Sequence, residues 1–271
     1  MLIDFTDKVV VVTGAGRGIG AGIVTSFARE GATTVALDVG TDDLAAVGAE
    51  IEALGGTGIQ RRVDVTDAAG VRAVMAEVVE RYGRIDVLIN NAGIAGNGAV
   101  EDLDDATWDR VFDVNVKGIL HTCQAVIPTM KRQRSGRIIN SASFAAIVPL
   151  VGGGLYAASK SAVTQFTRVL AGELGPWDIT VNAYAPGMIP TALGRFGDMD
   201  PQEQSRYLDT LTLRRWGDAQ EVAHLTLFLA SDLASYITGT LIDVSGGKLA
   251  TQRPRLAYER SGIEGGWDLG S

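Results

Sequence analysis

The apolar positions alternate between two rhythms along the chain. Val9 to Thr13 is an unbroken β-branched run, the pattern of a strand buried on both faces. A glycine-rich stretch from Gly14 to Gly20 follows, and a helix is expected from Ala21 to about Glu30. Strand-like runs recur at 33–38, 59–63, 85–90, 137–141, 180–185 and 241–244. Between them lie helical patterns at 42–54, 68–82, 106–130, 155–174 and 218–230. In the first of these, Leu44, Val47, Ile51 and Leu54 fall on one face. Seven strands alternating with six helices predict an α/β fold, a Rossmann-type doubly wound parallel sheet with helices on both faces. The expectation is a single domain over residues 1–271. Residues 188–216 break the rhythm: 29 residues between a strand and a helix are too many for an ordinary connection, and they have the position of a lid.

Composition narrows the classes. Apolar residues make up 46% and charged residues 21% of the 271, as in an ordinary folded domain. The net charge of -8 disfavours a nucleic-acid partner. No apolar run is long enough to span a bilayer, and Asp4 and Asp7 stand where a signal peptide needs cations. The single cysteine, Cys123, excludes an intrachain disulfide and suits a reducing compartment, so a cytoplasmic location is expected. His121 and Cys123 point in different directions on a helix, and His224 is the one other histidine, so no metal site is expected.

The glycine stretch Thr13-Gly14-Ala15-Gly16-Arg17-Gly18-Ile19-Gly20 sits between the first strand and the first helix. Glycines there let backbone N–H groups approach a pyrophosphate at the helix N-terminus. Asp38, about 20 residues on, ends the second strand. A carboxylate at that place accepts hydrogen bonds from ribose hydroxyls and repels a 2′-phosphate, so NAD is the expected cofactor. Arg17 is a cation within reach of the same region, and is better placed along the turn or facing solvent.

The spacing T-G-x-x-x-G-x-G resembles that of the classical short-chain dehydrogenase/reductase family, and further motifs extend the resemblance over about residues 5–247. Asp64-Val65 resembles the family's adenine-contacting pair, Asn90-Asn91-Ala92-Gly93 its N-N-A-G motif, and Pro186-Gly187 its P-G motif. The resemblance implies a cofactor site of Gly14, Arg17, Gly18, Ile19, Gly20, Asp38, Asp64, Val65, Asn91, Ala92, Gly93, Tyr156, Lys160, Pro186 and Gly187. It adds Ile189 and Thr191 as the segment that holds the nicotinamide carboxamide.

Tyr156 and Lys160 are four apart in a helical pattern and share a face, and Ser143 precedes Tyr156 by thirteen residues. A carbonyl that accepts hydride needs a proton donor at its oxygen. A free tyrosine is a poor base at neutral pH, and a nearby ammonium is expected to lower its pKa. Ser143 is suited to hydrogen-bonding the substrate oxygen. Ser141 competes for that role but is expected to lie still on the strand. The resemblance makes Ser143, Tyr156 and Lys160 the catalytic group and Asn115, in Asn115-Val116-Lys117-Gly118, its fourth member. In the family that Asn distorts the long helix and holds a water that relays protons to the lysine.

The expected activity is NAD-dependent interconversion of a secondary alcohol, such as a polyol or hydroxyketone of small to medium size, and its ketone. Residues 182–187, Asn-Ala-Tyr-Ala-Pro-Gly, look more like the family's polyol dehydrogenases than its fatty-acid reductases. The alternatives are a 3-oxoacyl-thioester reductase, which would normally prefer NADPH, and a catalytically silent dinucleotide-sensing protein. The resemblance also implies a homotetramer. Ser245 stands where the family usually has Asp before its final Gly-Gly. Residues 248–271 form an extension that includes Tyr258 and Trp267, and it is expected to dock on a neighbouring subunit with Trp267 as anchor.

Overall fold

In the computed structural model, which describes residues 3–191, 199–248 and 250–261, seven strands form one parallel sheet. They are β1 (Val9–Thr13), β2 (Thr33–Asp38), β3 (Thr57–Arg62), β4 (Val87–Asn90), β5 (Gly136–Ser141), β6 (Ile179–Pro186) and β7 (Leu241–Val244). Their order across the sheet is β3-β2-β1-β4-β5-β6-β7. The order reverses between β1 and β4, whose ends pair Thr13 with Asn90. In such sheets the crevice outside the carboxyl ends of the strands, at the point of reversal, is where ligands bind.

The buried runs feed two cores. Val10 and Val12 face one layer, with Ile23, Phe27, Ile51 and Leu229. Val9 and Val11 face the other, with Met75, Val126, Met130 and Leu170. The first layer is built by α1 (Gly18–Arg29), α2 (Thr41–Ala53) and, later in the chain, residues 219–230. The second is built by α3 (Ala68–Tyr82), α5 (Gly118–Gln133) and α6 (Gly154–Leu174). The expected long helix is present as α4 (Asp105–Phe112) followed by a π-helical turn, Asp113–Lys117, that leads into α5.

Two elements lie where the sequence pattern predicts none. The lid segment contains a helix, α7 (Pro201–Leu208), capped by Asp200, whose side chain accepts from the Gln202 and Glu203 N–H groups. It lies ahead of α8 (Ala219–Ala230). Met188, Leu208 and Leu211 make a small third core with Tyr207 and Trp216 beneath this segment. The extension contains α9 (Arg255–Ser261), which lies on the lid segment of its own chain. Arg255 pairs with Asp209 at 2.6 Å, and the Tyr258 hydroxyl donates to the Thr212 carbonyl at 2.8 Å. Leu193 and Phe196, within the 188–216 segment expected as a lid, and Trp267, the expected anchor, lie outside the described residues. Among the described residues no helix is long and apolar enough to cross a membrane.

Candidate active site

The glycine turn joins β1 to α1 with Gly14 and Gly18 at φ of +62° and +57°, the left-handed region that favours glycine. Gly20 admits no side chain, because a Cβ there would overlap the Gly14 carbonyl. Asp67, Asp104, Asp200 and Asp218 cap α3, α4, α7 and α8, whereas α1 has no side-chain cap and no acidic residue in its first turn. Its first-turn N–H groups and the positive end of its dipole are therefore left for an anion. Ile19 packs against the first core from this turn.

Asp38 borders the turn. Its Oδ2 accepts from the Gly16 N–H at 2.9 Å, and its Oδ1 accepts from Val39 at 2.7 Å and Gly40 at 3.1 Å. Arg17 is largely exposed and reaches Asp43 only at 4.0 Å. Asp64 is turned onto Thr66, accepting from both its N–H and its hydroxyl, while buried Val65 presents its carbonyl to His121 Nδ1 at 2.9 Å. His121 is thus a backbone anchor, and among the described residues no His, Cys, Asp and Glu group could hold a metal.

The segment after β4 is fastened to the turn. The Asn91 and Ala92 N–H groups donate to Thr13 Oγ1, and Asn91 Nδ2 donates to the Gly14 carbonyl at 3.0 Å. The buried Tyr184 hydroxyl donates to Asn91 Oδ1 at 2.9 Å. Beneath this runs a chain of buried polar groups. Thr122 donates to Asn90 Oδ1, Asn90 donates to Asn140, and Asn140 donates to Thr167. Cys123, also buried, accepts weakly from Asn90, and burial pushes its thiol up to about 12. After β6, the Gly187 N–H donates to Val244, Ile189 is buried, and Thr191 lies against Gly18, so residues 187–191 return to the glycine turn.

Asn115, Ser143, Tyr156 and Lys160 converge from three elements. The π-turn aims the fully buried Asn115 at Ile94, whose N–H and carbonyl its side chain engages at 2.8 and 3.0 Å. Asn115 also donates to Ser159, a residue the motif reading passed over although it precedes Lys160 directly. Lys160 Nζ donates to the Ser141 carbonyl at 2.7 Å, and a Cβ on Gly93 would lie 3.3 Å from both that ammonium and Asn115 Oδ1. Ser143, just past β5, hydrogen-bonds the Tyr156 phenol and accepts from the Ala145 N–H. Ser141 ends β5 as expected, and its contribution to the group is its carbonyl.

The electrostatics differ from expectation. Burial raises the Tyr156 pKa, partly offset by the Ser143 hydrogen bond, and Lys160 does not depress it. The reason is positional: the ammonium is spent on the Ser141 carbonyl and sits 5.7 Å from the Tyr156 ring centroid. Burial also lowers Lys160 to about 8. Because the unfolded chain binds this proton more tightly, Lys160 costs stability below pH 8, and the cost fades as pH rises from about 8 toward 10.5. The stability difference between the wild-type chain and Lys160→Met should therefore shift in favour of the wild type by on the order of 1 kcal/mol from about pH 7 to 9. Denaturant unfolding across that range checks it, and a difference independent of pH would contradict it.

The resemblance read from the motifs is matched by comparison. A family model described as short chain dehydrogenase covers residues 8–200. The 3-oxoacyl-[acyl-carrier-protein] reductase FabG of Thermotoga maritima is 40% identical over 240 residues, covering 89% of this chain and 97% of that protein. The short-chain reductase protein NovJ of Streptomyces niveus is 39% identical over 247 residues, covering 89% and 94%. Among solved structures, levodione reductase superposes with a TM-score of 0.87 at 34% identity, covering 91% of this chain and 99% of that one. NAD+-bound xylitol dehydrogenase superposes at 0.85 and 32% identity, covering 90% and 99%. With a family model over most of its length and relatives at 39–40% identity along nearly their whole chains, this chain belongs to the short-chain dehydrogenase family and is an oxidoreductase of it.

Proposed function

We propose that this chain is an NAD-dependent oxidoreductase that interconverts a secondary alcohol of small to medium size and its ketone. The observation that carries the reading is the convergence of Ser143, Tyr156, Lys160 and Asn115 beside the uncapped N-terminus of α1. The glycine turn and α1 would hold the pyrophosphate, Asp38 the adenosine ribose, Asp64 and Val65 the adenine. Asn91, Ala92, Gly93, Pro186, Gly187, Ile189 and Thr191 would flank the nicotinamide half. The bound dinucleotide supplies or accepts the hydride.

Tyr156, held protonated by its burial, gives its proton to the ketone oxygen in reduction; in oxidation it first passes that proton to neutral Lys160 and then, as phenolate, takes the alcohol's. Ser143 hydrogen-bonds the same oxygen and orients it. Lys160, with its proton lightly held near pH 8, returns a proton toward Tyr156 after each reduction, and Asn115 keeps that end of the site in register through Ile94 and Ser159. Exposed Ile147, Val148, Leu150 and Val151 form an apolar rim beside Ser143, which suits an uncharged or amphipathic body on the substrate. A homotetramer belongs to the same reading. Val169, 61% exposed on α6, supports it, and a light-scattering mass near 28.5 kDa would oppose it.

The similarity to FabG favours a second reading, reduction of a 3-oxoacyl thioester. Both are tested by following NADH absorbance with a panel of polyols, hydroxyketones, simple ketones and a 3-oxoacyl thioester. Turnover is expected with at least one alcohol or ketone. Turnover of the thioester alone would move the assignment to the second reading, and none at all with NADH bound would return the chain to a silent dinucleotide binder.

A further inference from the structure

Lys248 lies just past β7 on the turn formed by Ser245, Gly246 and Gly247. Its N–H donates to Ser245 Oγ, which in turn donates to Asp243, so the serine that stands in place of an aspartate fixes where the lysine begins. That turn is packed on the one after β6, since a Cβ on Gly187 would come 2.6 Å from Ser245 Cα. The side chain reaches back across the carboxyl ends of the strands. Its ammonium lies 4.9 Å from the ring centroid of Phe144, the neighbour of Ser143, and donates to Thr210 Oγ1 of the lid segment at 2.9 Å.

Among the described residues no carboxylate lies within ion-pair distance of Lys248. The acids lining the cavity beside it are committed elsewhere: Asp209 to Arg214 and Arg255, and Glu259 to Arg255. The ammonium is half-buried, and burial alone lowers its pKa. Among the described residues the ammonium's contacts are the Thr210 hydroxyl and the Phe144 face. A partly desolvated cation in that condition costs free energy that an arriving anion recovers. A cavity of about 320 Å³ opens beside it, with Thr210, Arg253 and Leu256 in its wall. Its charged lining is three cations against two carboxylates, in a chain whose net charge is -8.

We infer that Lys248 selects substrates whose ketone or alcohol carries a further anionic group, a carboxylate or a phosphate, and that it pairs with that anion while Ser143 and Tyr156 hold the reacting oxygen. The inference rests on the dehydrogenase reading and narrows its substrate class. Phe144 links the two halves: it is covalently next to Ser143, and its ring centroid lies 4.9 Å from the ammonium.

The full chain with NADH is offered two matched pairs: 2-pentanone with 4-oxopentanoate, and dihydroxyacetone with its phosphate. The anionic member of at least one pair should have the higher kcat/KM by about tenfold or more, and which pair responds distinguishes carboxylate from phosphate. Lys248→Met should bring that ratio near unity, and Lys248→Arg should keep most of it. Equal use of neutral and anionic partners by the wild type, or a ratio that survives Lys248→Met, would overturn the proposal and leave the dehydrogenase reading standing. If none of the four is turned over, the dehydrogenase reading is decided by the wider panel above. Calorimetric binding of the two anions to the NADH complex then decides for Lys248: affinity lost in Lys248→Met supports it, and affinity unchanged or absent in the wild type refutes it.

Discussion

Tyr156→Phe should lower kcat by at least about 100-fold while leaving the Kd for NADH within about threefold, since the phenol oxygen carries the proton and the cofactor is held elsewhere. Tyr156 stands on α6 between Leu155 and Ala157, both buried, and phenylalanine fills the space of its ring. Lys160 would keep its hydrogen bond to the Ser141 carbonyl, and Asn115 its bonds to Ile94 and Ser159, because none of these passes through the phenol. The loss should therefore appear in kcat with little change in melting temperature. Retention of more than about a tenth of kcat would remove Tyr156 from the proton-transfer role, because general acid catalysis is ordinarily worth more than that.

The second large effect concerns the cofactor. NADPH should be used at least about 100-fold less efficiently than NADH, as judged by kcat/KM. Asp38 is not a carboxylate free to swing away: Gly16, Val39 and Gly40 hold both its oxygens by backbone N–H groups. A 2′-phosphate would meet that fixed negative charge at close range, a repulsion worth several kcal/mol where water is scarce. Two cations stand nearby. Arg17 is mostly exposed, and Arg62 donates to the Val39 carbonyl at 3.2 Å from an exposed position. Charges in such solvated positions contribute only about 1 kcal/mol or less each, so the carboxylate decides the sign. Asp38→Ser should reduce the preference at least about tenfold. A wild-type enzyme that used NADPH as well as NADH would show that Arg17 and Arg62 outweigh Asp38.

How much of this was legible in the chain depends on the distance over which each feature is encoded. The parallel sheet could be read because the Val9–Thr13 run, the glycines after it and the helix beyond are adjacent in sequence. The Tyr156 and Lys160 pair could be read because four residues are one helical turn. Asn115 was found by resemblance, but its partner Ile94 was not, because that contact depends on a π-turn and spans 21 residues. The lid helix carried a local signal that was passed over: Asp200-Pro201 is an N-cap followed by proline at the first helical position, where its missing N–H costs nothing. Its sequence is so polar that no apolar stripe announced it. The approach of Lys248 to Phe144 joins residues more than a hundred apart and had no sequence signal at all. Likewise, burial of Tyr156 and Lys160 reversed the expected direction of the tyrosine shift, since desolvation is a property of the packed surroundings and not of spacing.

The lone thiol has a use that follows from its placement. Cys123 is sealed in the layer directly under the Asn90 and Asn140 pair, with its pKa pushed up to about 12, and there is no second cysteine in the chain. A maleimide or disulfide reagent reacts with the thiolate, so labelling in native buffer waits until α5 lifts from the sheet and exposes the sulfur to water. The labelling half-time is then a clock for that opening, read at a single position without competing sites. Comparing the clock with and without dinucleotide would show whether cofactor binding at the surface of the crevice is felt in the layer that supports it.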